Sequence, residues 1–239
     1  MDKNQFINLR CPEDIDAHVY RIMREQHVLS LFDSRRNALS RFGNWKDKFE
    51  NFLMNCGHEF DGVKYDNVLI NNMVAQCWTS NKYSDAMWGI YANNPQERFL
   101  RIRSTPRRLL RSCDSIKVTF ARPRVGAVLY RSTEYIKKYY DRVKSEDVKT
   151  DRLFDSLLLK RSAFSHEREI RLIYCAMYES LDGNGLFWYD VDPHDMVTQI
   201  MADPNRNKSN WISDEKRIRD KTKFVGDIKR SRIYDAPNW

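Results

Sequence analysis

Residues 164–174 have the sequence FSHEREIRLIY, which contains the clearest strand candidate of the chain. If the segment is extended from Glu167 onward, alternate side chains point to opposite faces, so Glu167, Glu169 and Arg171 share one face. The two carboxylates are then about 7 Å apart, because a strand rises about 3.3 Å per residue. Like charges this close disfavour double ionisation unless a cation compensates, and we expect Arg171 to supply that compensation.

The rest of the chain mixes short strand candidates with helix candidates. Helix is predicted mainly at 1–40 (with a short strand at 19–23), 84–93, 107–112 and 133–164. Further strands are predicted at 67–80, 125–131, 187–193 and 196–204. Short strands mixed with helices favour one α+β domain over residues 1–239, in which residues 205–239 could form a basic C-terminal extension.

The composition is that of a chain with a sizeable core. Of 239 residues, 41% are apolar and 13% aromatic. No apolar run approaches the roughly 18–20 residues that span a bilayer, and the N-terminus lacks the apolar stretch of a secretory signal. The five cysteines are scattered and form no CxxC motif, which argues against a disulfide framework or a zinc site. We therefore expect a soluble, reduced protein of the cytoplasm.

The positive charge is concentrated in two stretches. The net charge is +8, and residues 98–124 alone hold nine basic residues against Asp114. Residues 206–232 hold ten basic and four acidic residues. Such stretches suit nucleic acid or an acidic protein, although a solvated helix face with a basic tail has the same composition. The nucleic-acid-binding candidates are Arg101, Arg103, Arg107, Arg108 and Arg111.

Several common catalytic motifs are absent from the sequence. There is no GxxxxGK[ST] phosphate loop, no GxGxxG, no HExxH and no GxSxG, and the chain holds eight glycines. The paired carboxylates of the opening stretch suit a reaction in which positive charge develops on a sugar, as in glycosidases. The alternative is an exposed, salt-bridged strand that adds little stability.

Three short segments resemble the motif order of ADP-ribosyltransferases. These are HVYR (18–21), CWTS (77–80) and SHERE (165–169), the last with the Glu-x-Glu spacing of that superfamily. The resemblance implies mixed sheets with flanking helices, NAD as the substrate and no metal. It assigns Glu169 to stabilise the cationic sugar as nicotinamide leaves, and Glu167 to orient or deprotonate the incoming nucleophile.

The same resemblance assigns residues to the binding of NAD. Arg21 would bind a phosphate or ribose of NAD through its guanidinium group, with Tyr20 nearby. Thr79 or Ser80 would hold the nicotinamide-side ribose and brace the glutamate. Trp88 is a candidate to stack on nicotinamide, although aromatic residues at such spacing also form core.

Over nearly its whole length the chain also resembles the AbiGi-like proteins, a bacterial family linked to abortive infection by phage. The matching segments are VYRIM (19–23), WKDKFEN (45–51), CWTSNKYSDAMWGIYAN (77–93), VLYR (128–131) and LLKRSAFSHEREIRL (158–172). The resemblance implies a toxin for antiviral defence that transfers ADP-ribose to nucleic acid, with RNA preferred to DNA. An antitoxin or chaperone protein is an expected partner.

Three other interpretations stay open at the level of sequence. The same site residues would serve an NAD glycohydrolase, in which water is the acceptor. A non-catalytic nucleic-acid-binding or sensor protein would use the arginines of 98–124, with structural glutamates. A metal-dependent nuclease would use Asp47 and Glu50 together with Glu167 and Glu169.

Overall fold

The computed structural model describes residues 3–9, 11–45, 58–60, 63–65, 71–117, 121–144 and 150–237. These residues form one α+β domain, in which short helices flank a mixed ten-stranded sheet. The predicted α+β class is confirmed. None of the described helices is long and apolar enough to cross a bilayer.

Fourteen strands are formed by the described residues. They are β1 (Phe6–Ile7), β2 (Val19–Arg24), β3 (Arg36–Arg41), β4 (His58–Phe60), β5 (Val63–Tyr65), β6 (Met73–Thr79), β7 (Phe99–Ser104), β8 (Arg124–Ala127), β9 (Leu129–Arg131), β10 (Leu159–Arg161), β11 (Glu169–Cys175), β12 (Leu186–Asp190), β13 (Gln199–Ala202) and β14 (Asp227–Arg230). The α-helices are α1 (Pro12–Asp16), α2 (Glu25–Ser34), α3 (Asp85–Tyr91), α4 (Pro106–Arg111), α5 (Thr133–Lys144), α6 (Thr150–Ser156), α7 (Pro193–Met196) and α8 (Trp211–Thr222).

The large sheet branches at β6. Its main path runs in the order β1, β8, β11, β6, β2, β7, β13, β14. Strand β6 also pairs with β3, which in turn pairs with β12. The β1–β8 and β13–β14 pairings are parallel, and the other pairings of this sheet are antiparallel.

The central strand β11 is buried along its whole length, which explains its near-continuous apolar sequence. On one face, Ile170 and Leu172 belong to the larger core cluster, and on the other face Ile173 packs into a second cluster with Phe154. Because both faces are covered, Glu169 and Arg171 enter the interior together with the apolar residues.

Two secondary-structure predictions are wrong. The strand predicted at 19–23 is found as β2, but the rest of 1–40 is not mainly helical, since it also contains β3, which gains its pairing from β12, about 150 residues later. The helical prediction for 133–164 ends too late, since α6 ends at Ser156 and Leu159–Arg161 forms strand β10. Strand β10 pairs with β9 in a separate sheet, so it also depends on a distant partner.

The C-terminal residues pack against the N-terminal part of the domain. Helix α8 lies against α2 and buries Ile218, and β14 extends the large sheet beside β13. Glu25, at the start of α2, is buried and forms ion pairs with Arg206 and with Arg217, the latter over 2.7 Å. The segment predicted as a basic extension thus supplies a helix and an edge strand to this packing.

Candidate active site

A cavity of about 220 Å³ lies where the sheet branches, and we call it the fork cavity. Strand β2 pairs with β6 at Thr79 through Tyr20, whereas β3 pairs with β6 at Ala75 through Ser40. Residues 76–78 of β6 lie between these two pairings and line the cavity. The divergence of β2 and β3 along one edge of β6 therefore creates the space.

Residues from three separate parts of the sequence meet in the fork cavity. Arg21 reaches it from β2, Thr79 from β6 and Glu169 from β11. Tyr20 lines it as well, beside Thr79 in the sheet register. Ser80, by contrast, is exposed just beyond the end of β6, and it is not among the cavity-lining residues.

Arg21 is a half-buried cation without a counter-ion. Within the described ranges, its guanidinium group forms no hydrogen bond and no ion pair. Burial lowers the pKa of Arg21, but an arginine remains charged in proteins. A half-buried charge of this kind favours an anionic ligand, because the alternative is an uncompensated desolvation cost.

The Thr-Ser sequence at the end of β6 holds the loop that leads into β11. Thr79 Oγ1 donates to the carbonyl oxygen of Glu167 over 2.5 Å and accepts from the amide of Asn81 over 3.0 Å. The Ser80 amide donates to the carbonyl oxygen of Arg168 over 3.0 Å. The buried Thr79 hydroxyl thus positions the backbone between the two glutamates.

Glu169 is a buried carboxylate held by two cations. Its Oε2 atom accepts from Arg171 Nη2 over 2.7 Å and from Lys160 Nζ over 3.3 Å. Desolvation alone would raise the pKa of Glu169, but the charges of Arg171 and Lys160 and hydrogen bonds from Cys77 and Arg171 outweigh it, so the pKa is lowered. The predicted pairing of Arg171 with the glutamates is therefore found for Glu169. Both cations bind the same oxygen, Oε2, and the carboxylate lines the cavity.

Glu167 does not lie on the strand, so the predicted shared face is wrong. It ends a 3-10 segment, Ser162–Glu167, and Arg168 then adopts a left-handed conformation with φ of 44° before β11 begins. The two carboxylates still converge, because both bind one Lys160 ammonium group, with Glu167 Oε2 at 2.7 Å. Glu167 is buried but is not among the cavity-lining residues.

Lys160 is the site residue that the sequence interpretation missed. It is only 6% exposed and sits on β10, opposite Tyr130 of β9. Residues 133–164 are predicted to be helical, and that prediction does not bring Lys160 to the glutamates. The available signal is a single lysine that follows three leucines in LLLK (157–160), a setting in which a charge needs a buried partner.

Aromatic side chains complete the surroundings of the site. Trp45 and Tyr91 line the fork cavity, and the Arg171 guanidinium lies 4.6 Å from the centroid of the Trp45 ring. Burial raises the pKa of Tyr91, and the charges of Glu167 and Glu169 raise it further. Trp88 lies elsewhere, in a core cluster with its side chain buried.

Tyr130 fixes the first residue of β11. Its hydroxyl oxygen accepts the backbone amide of Glu169 over 2.8 Å. Burial raises the pKa of Tyr130 to about 12, although this hydrogen bond acts in the opposite direction. The phenol therefore stays neutral at physiological pH and holds the start of the strand in place.

The five arginines predicted to bind nucleic acid do not form one exposed patch. Arg101 is buried, donates to the Lys82 carbonyl oxygen over 2.5 Å and lies over the Tyr20 ring. Arg103 donates to Thr198 Oγ1 over 2.9 Å, and Arg107 binds both oxygens of Asp16. Arg108 donates to the carbonyl oxygen of Asp195, and Arg111 is exposed on α4. Their role in binding nucleic acid stays a prediction.

No group of three or more His, Cys, Asp or Glu side chains in the described part of the chain is placed to hold a metal ion. Asp47 and Glu50, which the nuclease interpretation needs, lie outside the described residues.

Comparisons with known proteins give a distant structural likeness. No protein-family model matches the chain, and no curated protein matches it either. Among solved structures, the chain is similar to DarT from Thermus sp. 2.9, determined in complex with carba-NAD+. The sequence identity is 10% and the TM-score is 0.37, over 93% of this chain and 97% of that one. At this distance, neither activity nor substrate follows from the likeness.

Proposed function

We propose that the chain is an NAD-dependent ADP-ribosyltransferase. The observation that carries the proposal is the meeting of Arg21, Thr79 and Glu169 in the fork cavity. These residues come from three strands and lie far apart in the sequence, in the chain order that resembles the superfamily motif. Their chemistry suits a dinucleotide, because a cation, a hydroxyl group and a carboxylate face one cavity.

The fork cavity fits one end of NAD. Its volume of about 220 Å³ lies below the roughly 300–1,000 Å³ of pockets that enclose whole ligands. We therefore assign it to the nicotinamide and its ribose, with the rest of the dinucleotide at the mouth. Arg21 supplies the missing counter-charge for a phosphate, and the ring of Trp45 or Tyr91 is available to stack on nicotinamide.

In the proposed reaction, the bond between ribose C1′ and the nicotinamide nitrogen breaks, and its electron pair leaves with nicotinamide. Positive charge then develops on the ribose, close to the Glu169 carboxylate. The lowered pKa of Glu169 keeps this group anionic at neutral pH. The carboxylate can accept a ribose hydroxyl while Lys160 and Arg171 hold Oε2, which preorganises the carboxylate for that charge.

The acceptor attacks C1′ and loses a proton, for which we propose Glu167 as the base. The positively charged character of the chain, with a net charge of +8, supports nucleic acid as the acceptor, and we place RNA before DNA. Together with the AbiGi-like resemblance, this chemistry suits a toxin of phage defence whose activity is restrained by an antitoxin protein. If water is the acceptor, the same residues make an NAD glycohydrolase.

The test uses NAD labelled in the adenine moiety, incubated with purified protein and total RNA, DNA or cell lysate. We expect label on RNA with the wild-type chain and a loss of about 100-fold or more in kcat with Glu169→Gln. Asp220→Asn, which removes one exposed carboxylate on α8, is the matched control and should behave as wild type.

The outcomes separate the alternatives. Free ADP-ribose without labelled macromolecule would assign water as the acceptor. No consumption of NAD under any condition, or equal turnover by Glu169→Gln and the wild type, would refute the transferase. Cleavage of the added RNA or DNA that stops in the presence of EDTA would favour the nuclease interpretation.

A further inference from the structure

A second, larger cavity of about 1,280 Å³ lies along the C-terminal residues of the chain, and we call it the C-terminal groove. It is lined by the turn before α3, by the residues after β14 and by the start of α8. Six cationic side chains face it against the single carboxylate of Asp235, namely Lys82, Arg101, Lys208, Lys229, Arg230 and Arg232.

Within the described residues, four of these cations form no ion pair with a carboxylate, namely Lys82, Arg101, Lys208 and Arg232. Lys208 and Arg232 are exposed, and both lie near enough to Asp235 for their charges to help Arg230 lower the pKa of that carboxyl group. Arg230, by contrast, binds both oxygens of Asp235 over 2.5 and 2.6 Å, and Lys229 pairs with Asp227 over 2.7 Å. The groove thus keeps a net positive charge, because its six cations outnumber Asp235 and the Asp227 partner of Lys229.

Aromatic rings lie among the cations. Tyr83 is 79% exposed and Tyr234 is 56% exposed, and Trp211 also lines the groove. The Lys82 ammonium group lies 4.8 Å from the centroid of the Tyr83 ring. Exposed aromatic rings between unpaired cations are the arrangement that stacks bases and contacts phosphates along a single strand.

We infer that the C-terminal groove binds single-stranded nucleic acid. A duplex keeps its bases stacked inside, so it could use the cations of the groove but not the rings of Tyr83 and Tyr234. A sheet-edge protein partner would not need the unpaired cations Lys208 and Arg232. Charge and exposed aromatic surface together therefore select an unpaired polynucleotide.

The groove and the fork cavity share a wall. Met87 of α3 lines the fork cavity, and its neighbour Trp88 lines the groove. Arg101 faces the groove while its guanidinium lies 4.5 Å from the centroid of the Tyr20 ring, which faces the fork cavity. Provided that the proposed transferase activity holds, a strand in the groove is the acceptor and passes beside the bound NAD.

Fluorescence anisotropy without NAD tests the contribution of charge to binding. The probe is a labelled oligonucleotide of about 15 nucleotides, used as single-stranded RNA, as single-stranded DNA and as a duplex. The variant Lys208→Gln/Arg232→Gln should weaken single-strand binding about tenfold at low salt. The slope of log K against log salt should fall by about 1.4, since each lost phosphate contact removes about 0.7. Lys216→Gln/Lys221→Gln removes the same charge from exposed positions on α8 outside the groove and should bind as wild type.

The stacking contribution is tested at Tyr83. Tyr83→Ala should weaken single-strand binding about fivefold or more without changing the salt slope, whereas Tyr83→Phe should bind as wild type. Thermal unfolding and circular dichroism verify that each variant is folded, and the exposed position of Tyr83 makes it the safer of the two rings to replace.

Three results would overturn the inference: duplex bound as tightly as single strands, equal losses in the groove and control variants, or no binding at all. The relative affinity for RNA and DNA identifies which polynucleotide the groove prefers. These measurements need no NAD turnover, so the inference about the groove can be refuted while the proposed transferase activity stands. Conversely, if the chain binds single strands through the groove but consumes no NAD, the inference about the groove stands and the proposed transferase activity is refuted.

Discussion

Arg21 and Arg171 lie close to the same cavity, but their surroundings give them different roles. Arg171 is fully buried and donates to Glu169 Oε2 and, over 2.5 Å, to the carbonyl oxygen of Leu157. Arg21 has no such partners within the described residues. Burial of Arg21 has a desolvation cost that no ion pair or hydrogen bond within the described residues offsets. Such a cation is better explained by a ligand than by a contribution to stability.

The substitution Arg21→Gln tests this difference. Because no ion pair is lost, we expect the free energy of unfolding to change by less than about 1 kcal/mol. The affinity for NAD should fall about tenfold or more, because a charge-assisted hydrogen bond is removed. Urea unfolding and titration calorimetry measure the two quantities.

Arg171→Met serves as the comparison for Arg21→Gln. Removing one partner of a buried ion pair should lower the free energy of unfolding by about 3 kcal/mol or more. If Arg21→Gln destabilised the chain as strongly as Arg171→Met and left NAD binding unchanged, Arg21 would be structural.

Lys160→Met tests how the two glutamates are held. Without the ammonium group, Glu167 and Glu169 face each other in the interior with less compensation, so the free energy of unfolding should fall by about 3 kcal/mol at neutral pH. Lys160 contributes to lowering the pKa of Glu169, and the pKa of Glu169 should therefore rise in the variant. Lys160→Arg keeps the charge and should restore most of the stability.

The pH dependence of this prediction has a definite sign. A carboxyl group whose folded pKa is lowered stabilises the fold above its unfolded pKa, and this stabilisation is lost as the pH falls. The difference between wild type and Lys160→Met should therefore shrink on acidification, and the acidic limb of NAD turnover should move to higher pH in the variant. A stability difference that is independent of pH between 7 and about 4 would contradict the role of Lys160 as a counter-ion.

At the scale of elements, a strand or helix can be predicted from local sequence where its own residues contain the signal, such as an apolar run or a helix cap. Strand β11 and strand β6 were predicted from apolar runs, and α3 from Ser84, whose hydroxyl accepts the Met87 amide as expected for a helix cap. Strands β3 and β10 were missed because their partners β12 and β9 lie elsewhere in the chain. Lys160 was missed for the same reason, since its place beneath the glutamates depends on β10.

The spacing of Glu167 and Glu169 predicts correctly that the two carboxylates lie close together, but it predicts the wrong backbone geometry. Two residues apart on a strand would place both carboxylates on one face, whereas Glu167 ends a 3-10 segment and the left-handed Arg168 separates it from β11. A non-glycine residue with positive φ has no strong signal in sequence. The convergence of the carboxylates on one lysine could therefore be found only from coordinates.

Strand β8 is packed so closely that Gly126 has no room for a side chain. A Cβ atom there would lie 2.4 Å from Leu158 Cδ1 and 3.2 Å from the Cβ of Ile7. We expect Gly126→Ala to lower the free energy of unfolding by about 1–3 kcal/mol, because Leu158 and β1 must shift. The shift would also disturb β10, so NAD turnover should fall in parallel.

Gly89→Ala is the matched control for Gly126→Ala. It lies in helix α3, and nothing within 4 Å would meet the new methyl group. Alanine is the better helix former, so the variant should gain about 0.5–1 kcal/mol in chemical unfolding. Equal effects of the two substitutions would show that packing at Gly126 is looser than the structure indicates.

At the scale of the whole molecule, the two ends of the sequence are joined by a buried charge network. Arg206 binds Glu25, donates to Asp214 Oδ2 over 2.6 Å and contacts Asp203 Oδ2 over 3.1 Å. Burial alone would raise the pKa of Glu25, but hydrogen bonds and charges of Arg217 and Arg206 lower it overall. The network therefore stabilises the fold at neutral pH and weakens as the pH falls.

Deletion of residues 205–239 tests whether this segment is a separable extension. The deletion removes β14 from the edge of the sheet and uncovers the core at Phe32, whose ring lies 5.7 Å from that of Phe224. It also removes Arg206 and Arg217, and with them both ion pairs of the Glu25 carboxylate. Since most domains have only about 5–15 kcal/mol of net stability, we expect the shortened chain to lose its cooperative unfolding transition.

A second truncation makes this result specific to the packed residues. Removing residues 236–239 leaves β14, α8 and the charge network in place, so that chain should unfold as the full-length protein does. Thermal unfolding followed by circular dichroism compares the two deletions. If the chain of residues 1–204 unfolds cooperatively at the same temperature as the full-length protein, residues 205–239 are an extension, because the edge strand, the aromatic contact and the charge network would then add nothing to the stability of the domain.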